Sequence, residues 1–306
     1  MRAFLATILA AIAGAAAIAA LAATRQSSPQ PVLTTRLNEE NPAAGGGYFA
    51  WSRNSRARLR RYDAYVRRGR SRPIKLNAPR TEGWIGGISG TTLVYQQSFG
   101  RFSDLKFFDL ATRKRSYPPK GFNTRGGWEW HPSISGDWVL FGRSAADTDY
   151  IILRGISTGR QIVLDKLVGA ESSNDLAPGQ VNGNYAVWAK CEASTCTAFR
   201  YAIAEGLTTP IPAPPGRFHY GPSVNPSGTV YVARSGRGCG SRVEIWRYPL
   251  VGLPSVMLTL RRGQDFRFSY ADQTAPGMTD VYYDRVVCRR KAWDIYRVVD
   301  GEATTP

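Results

Sequence analysis

The chain has 306 residues, 43% of them hydrophobic, and a formal net charge of +17. That length supports one well-buried core and is too short for two large domains. Its 11% aromatic residues, with 31 Gly and 19 Pro spread along the chain, argue against a disordered chain and suit short strands joined by turns. In chain order, Arg2 and the uncharged, Ala-rich run from Ala3 to Ala23 read as an export signal with a cleavage site at Ala20-Leu21-Ala22. Residues 1–22 are therefore assigned to a signal peptide and 23–30 to a disordered lead. The competing reading keeps the run as a membrane anchor, since about 20 apolar residues suffice to span a bilayer. Residues 31–37 follow, with strand character and no repeat of their own.

A glycine followed by alternating aromatic and β-branched residues then recurs. The copies run Gly46 to Trp51, Gly90 to Tyr95, Gly136 to Phe141, Gly183 to Trp188 and Gly228 to Ala233, with a degenerate one at Gly277 to Tyr283. The period is roughly 45 residues, that of a four-stranded propeller blade. A small-residue strand such as 132–135 precedes each copy; a third strand such as 150–153 and a fourth such as 161–164 follow it. The fold class is therefore all-β: a six-bladed β-propeller of four-stranded blades over residues 31–301, with a tail at 302–306. The last repeat lacks a fourth strand, so residues 31–37 are predicted to pair onto it and close the ring.

All four cysteines follow the signal, as disulfides in an oxidising compartment would. Cys191 and Cys196 would staple the hairpin between a second and a third strand. Cys239 and Cys288 occupy the equivalent loop of the fifth and sixth repeats, where they would bridge neighbours. Structural zinc asks for closer Cys pairs with His nearby, so no metal is expected, nor any other cofactor.

Candidate binding residues gather where first strands begin. Trp84, Arg125, Trp130, His131, Arg217, His219 and Tyr220 are placed at one mouth of the central channel, where loops of all blades converge. Trp, Tyr and Arg are also common interface anchors; the plainer reading packs these aromatics between blades. The first repeat adds a cationic stretch, with Arg58, Arg60, Arg61, Arg67, Arg68 and Arg70 in its loops and outer strands. Exposed charge of this density fits an anionic surface or polymer, and export argues against nucleic acid.

The function expected is an exported, non-catalytic interaction scaffold. It would bind an envelope or extracellular protein, or an acidic envelope polymer, through rim loops and a basic outer face, with peripheral contact to anionic membrane. The alternative is a polysaccharide lyase or hydrolase at the channel mouth, with His131, His219, Glu129 and Tyr220 as acid–base groups and Arg217 facing a substrate carboxylate.

One run of residues carries a family resemblance. Pro132-Ser133-Ile134-Ser135-Gly136-Asp137-Trp138-Val139-Leu140-Phe141 resembles the blade motif of TolB-type, WD40-like propellers, and Pro222 to Gly228 resembles its fuller form. Trp293 to Arg297 is similar to the family's third strand. The resemblance spans nearly all of residues 31–301, without the N-terminal α/β domain of TolB proper. It implies the fold and leaves function open, because similar blades serve binding proteins, lyases and peptidase accessory domains.

Overall fold

The computed structural model describes residues 28–54, 61–169, 175–192, 195–236, 241–275, 277–288 and 293–301. The assigned signal peptide, residues 23–27 of the lead, the tail, Arg58, Arg60 and Cys239 lie outside them. The described residues contain strands and no helix.

Strand β1 (Gln30–Leu33) stands first and alone, and successive antiparallel meanders follow. The first comprises β2 (Glu39–Gly45), β3 (Tyr48–Asn54), β4 (Tyr62–Arg68) and β5 (Ile74–Lys75). The second comprises β6 (Glu82–Ser89), β7 (Thr92–Phe99), β8 (Phe102–Asp109) and β9 (Lys114–Ser116). The third comprises β10 (Trp128–Ser135), β11 (Trp138–Ala145), β12 (Thr148–Gly155) and β13 (Gln161–Val168). The fourth comprises β14 (Asp175–Asn182), β15 (Tyr185–Glu192), β16 (Thr195–Ala202) and β17 (Leu207–Ile211). The fifth comprises β18 (Phe218–Val224), β19 (Val230–Ser235), β20 (Glu244–Tyr248) and β21 (Ser255–Thr259). The last comprises β22 (Gln264–Ala275), β23 (Met278–Val287) and β24 (Trp293–Gly301). A single parallel pairing, Trp128 with Ser103, merges the second and third meanders into one eight-stranded sheet.

The first strands β2, β6, β10, β14, β18 and β22 touch one another in a closed cycle. The arrangement is a β-propeller, with those strands innermost. The core lies between neighbouring meanders, because a twisted sheet buries both faces only against the next one. Trp51, Tyr95, Phe141, Trp188, Tyr231 and Tyr283, one from each second strand, are all fully buried there. These are large apolar payloads that fill the widening wedge away from the axis.

β1 pairs antiparallel with β24, Gln30 opposite Arg297 and Leu33 opposite Ile295. Leu33 then packs with Trp51 of the first meander and Ile295 of the last, so one strand joins both ends of the cycle. The strand is shorter than the 31–37 expected from sequence. Thr35 leaves the ladder because its hydroxyl donates to the buried Glu39 carboxylate at 2.9 Å, and Leu37 N–H bonds back to the Thr35 hydroxyl. Cys191 and Cys196 face each other across β15 and β16 and are disulfide-bonded, as the hairpin reading expected. Cys288 is also in a disulfide.

Crowding near the axis shapes the inner strands. Every one of the six has a register shift in mid-strand. A bulge bends the strand and re-aims its backbone. At Asn41, His131 and Gly221 the bulge residue is left-handed, with φ of 54°, 43° and 57°, and each is followed by a buried proline. Asn, His and Gly are among the residues that tolerate this region best. The second and fourth meanders place Gly86 and Gly179 beside those prolines. A Cβ on Gly86 would lie 2.1 Å from the Pro132 carbonyl oxygen, and one on Gly179 would lie 2.3 Å from that of Pro222. Both obstacles are backbone and cannot swing away. Gly86→Ala and Gly179→Ala should therefore each destabilise the protein by on the order of 1–3 kcal/mol, read as a lower urea midpoint. Unchanged midpoints would contradict this account of the axis.

Candidate functional site

The six bulges surround a small axial cavity of about 40 Å³, room for very few water molecules. Pro42, Gly86, Pro132, Gly179, Pro222 and Ser269 contribute to it, one from each inner strand. Asn41 also lines it, and its buried Oδ1 has no hydrogen-bond partner among the described residues. Hydrogen bonds between inner strands, most of them skipping the neighbouring meander, cross the axis beside this cavity. Gln180 accepts from the N–H groups of Val224 and Ala271 at 3.2 and 2.9 Å, and its amide donates to the Ala271 carbonyl at 2.8 Å. The Tyr270 hydroxyl donates to the Ile88 carbonyl at 3.2 Å. Tyr270 is buried, and burial raises its hydroxyl above the ordinary range.

Above the cavity, the starts of alternate inner strands repeat one device at 90-residue intervals. Residues 39, 129 and 219 are each completely buried and face an arginine on the adjacent second strand. Glu39 pairs with Arg53 at 3.0 Å and Glu129 with Arg143 at 2.9 Å. A threonine caps each carboxylate, Thr35 for Glu39 and Thr124 for Glu129, through hydroxyl and backbone N–H together. Burial raises the Glu129 carboxyl, while Thr124 and Arg143 work in the opposite sense. The third copy replaces the carboxylate with His219. Its Nε2 accepts from Arg234 Nε at 3.2 Å, and its Nδ1 lies 3.1 Å from the Ile211 carbonyl. A neutral imidazole with the proton on Nδ1 satisfies both contacts.

The expected rim residues fall into two separate sectors. In the first, Trp84, Trp130 and His131 lie on neighbouring inner strands β6 and β10. Trp84 stacks on Tyr62 with ring centroids 4.0 Å apart. Tyr62 in turn donates to the buried Glu40. Glu82 beside them has its carboxyl raised by burial, with Arg61 and Trp84 opposing. Trp130 donates from Nε1 to the Ser144 hydroxyl, and its ring spreads over Gly142, where any Cβ would strike it at 2.4 Å. His131 N–H bonds to the side chain of Gln96, the cross-strand partner of Trp84, which ties the two strands together. Both Trp side chains and His131 stay partly exposed, and Arg125 is exposed in the loop entering β10.

The second sector belongs to the fifth meander and offers less surface. His219 has no exposed area, so the structure places it inside the sheet rather than on the rim. Tyr220 spends its hydroxyl on Asp265 at 3.1 Å, and burial, then Asp265, raises it. Arg217 donates to the Arg242 carbonyl. Among the described residues, the polar partners of the His219 ring are Ile211, Arg234 and Tyr248. The geometry therefore does not assemble His131 and His219 as an acid–base pair.

The cationic stretch of the first meander is also divided. Arg61 opens β4 at the rim end, whereas Arg68 and Arg70 are exposed at the far end. Arg67 is partly buried instead, with its guanidinium 5.5 Å from the Trp51 ring and 6.0 Å from that of Phe49. Part of the charge thus stacks on the aromatic seam that β1 closes, a cation–π role the sequence reading did not foresee. Among the described residues, no cluster of three or more His, Cys, Asp or Glu could hold a metal ion.

With this geometry in view, the fold has clear counterparts. TolB from Acinetobacter baumannii superposes with a TM-score of 0.55 at 17% identity, over 84% of this chain and 65% of that one. The chain thus spans just under two thirds of that protein's length. A TolB candidate from Agrobacterium tumefaciens gives 0.56 at 15% identity, over 87% and 91%. A protein of unknown function from Dyadobacter fermentans gives 0.58 at 10% identity, over 91% and 99%. At such identities the likeness is one of fold: this chain is a β-propeller similar in architecture to TolB. No protein-family model matches the sequence, and no curated protein matches it.

His219 generates a pH test. Burial holds its imidazole down at about 4; the Ile211 carbonyl pulls upward and Arg234 adds to the lowering. A free imidazole titrates at about 6.5, so on acidification the unfolded chain is protonated first. The stability His219 contributes is complete above that value and is lost progressively toward pH 4. A His219→Gln variant should lose less stability than wild type between pH 7 and pH 5, measured by urea unfolding. Equal losses would show that His219 is not the sensitive group.

Proposed function

We propose that this protein is an exported, non-catalytic interaction scaffold with a six-bladed propeller as its rigid frame. The single pairing between the second and third meanders supports counting them as two blades, with β1 completing the sixth. Residues 1–22 are proposed as the export signal, and the Cys191–Cys196 disulfide fits an oxidising destination.

The working surface is the rim sector of Trp84, Trp130, His131 and Arg125. The carrying observation is that two partly exposed indoles stand on adjacent inner strands whose positions are fixed from behind, by Tyr62 and by Ser144. Rigid aromatic anchors bind with little loss of side-chain freedom, and loops held on a stiff ring supply specificity. The ligand class that fits is a folded protein of the envelope or extracellular space. The exposed arginines Arg61, Arg68 and Arg70 add salt-sensitive attraction to acidic polymers and anionic surfaces.

The test compares wild type with a Trp84→Ala, Trp130→Ala variant in capture from an envelope extract at 0.1 M and 0.5 M salt, over which the Debye length falls from about 10 Å to about 4 Å. The expected result is a protein retained by wild type at both salts and lost from the variant, which is still folded at the assay temperature by circular dichroism although its unfolding midpoint is lower. Retention by both proteins would remove the rim sector from the function.

A further inference from the structure

In a meander, the turn between the first two strands and the turn between the last two lie at the same end. Every meander therefore presents these turns on one face of the ring, opposite the rim of Trp84 and Trp130. That face is split by chemistry. On the fourth to sixth meanders it exposes apolar side chains: Leu207 at 63%, Leu250 at 48%, Val251 and Leu253 at 87%, and Met278 at 45%. Leu250, Val251 and Leu253 stand together in a loop between Pro249 and Pro254, with Gly252 at a φ of 109° making the turn. On the first to third meanders the same turns expose Arg70, Arg72, Arg113, Lys114 and Arg160. Among the described residues, the turns of this face hold one exposed carboxylate, Glu205 of the fourth meander, and it already accepts from Asn184.

A run of large apolar side chains this exposed is unfavourable in water and marks a contact surface. Its form indicates the occupant. The apolar groups sit on a projecting tip beside a cationic field, which suits a soft apolar layer under a sheet of negative charge. β24 ends at this face at Gly301, which is paired with Met278, and β1 begins there at Gln30.

We propose that this face docks on an anionic phospholipid bilayer. The Leu250–Leu253 loop enters the boundary between headgroups and acyl chains, and Arg70, Arg72, Arg113, Lys114 and Arg160 face the lipid phosphates. The site is distinct from the rim, which would point away from the membrane.

The test uses the full chain and vesicles of phosphatidylcholine, with and without phosphatidylglycerol. A Val251→Cys variant labelled with an environment-sensitive fluorophore reports insertion of the loop whatever residues 1–27 do. The expected result is a blue shift with phosphatidylglycerol vesicles that diminishes as salt is raised, and none from a label at Phe102→Cys on the opposite face. A Leu250→Ser, Val251→Ser, Leu253→Ser variant should bind the anionic vesicles at least about tenfold more weakly, while a Trp84→Ala, Trp130→Ala variant binds them as wild type does. No shift at position 251 with vesicles overturns the proposal. So does a shift produced only by envelope proteins freed of lipid, which would make the loop a protein-docking element.

Discussion

Six inner strands meet around one axis, and there is no room for six regular ones. Each yields in mid-strand with a bulge, and each solution depends on its neighbour's. Left-handed residues before Pro42, Pro132 and Pro222 turn those strands inward, so Gly86 and Gly179 must carry no side chain at all. Peptide groups disturbed by a bulge need other partners. Gln180 partners three of them, both polar groups of Ala271 and the Val224 N–H. The obstructed axis is thus a consequence of packing, and it leaves the faces and the rim as the surfaces open to large partners.

The same alternation extends to charge. Glu39 and Glu129 are buried carboxylates, each held by an arginine and a capping threonine. At the third position His219 accepts the arginine hydrogen bond without a negative charge of its own. Arg234 then also leans on Trp246, 3.6 Å from the ring centroid. A pair of ions in two meanders thus corresponds to one cation, a neutral acceptor and an aromatic face in the other.

Much of the architecture was legible because it repeats. The aromatic that closes four of the Gly-led copies fills the wedge, as Trp51, Tyr95, Phe141 and Trp188 show, and in the fifth copy Tyr231 does so from two residues earlier. The pairing of the first strand with the last could be read from the missing strand at the end, and the Cys191–Cys196 staple from spacing alone. The site was less legible, since a residue type does not reveal its burial. His219 and His131 look alike in sequence, yet one is a sealed acceptor and the other a left-handed bulge residue. The signal that separates them was present. Glu39 with Pro42, Glu129 with Pro132 and His219 with Pro222 recur at the same spacing over two repeats, and a search at a single-repeat period passes over it. Exposed apolar residues such as Val251 are likewise indistinguishable from core ones until the turn is located.

The bond between the Arg297 guanidinium and Gln30 links residues 267 apart in the chain. Contacts of such separation form late, because the intervening chain must be ordered first. Until Gln30–Leu33 arrives, β24 offers a full row of unpaired peptide groups, the template on which strands of other molecules assemble. A nascent chain therefore holds β1 in waiting while the rest is made, and the edge of β24 stays open until the two strands pair.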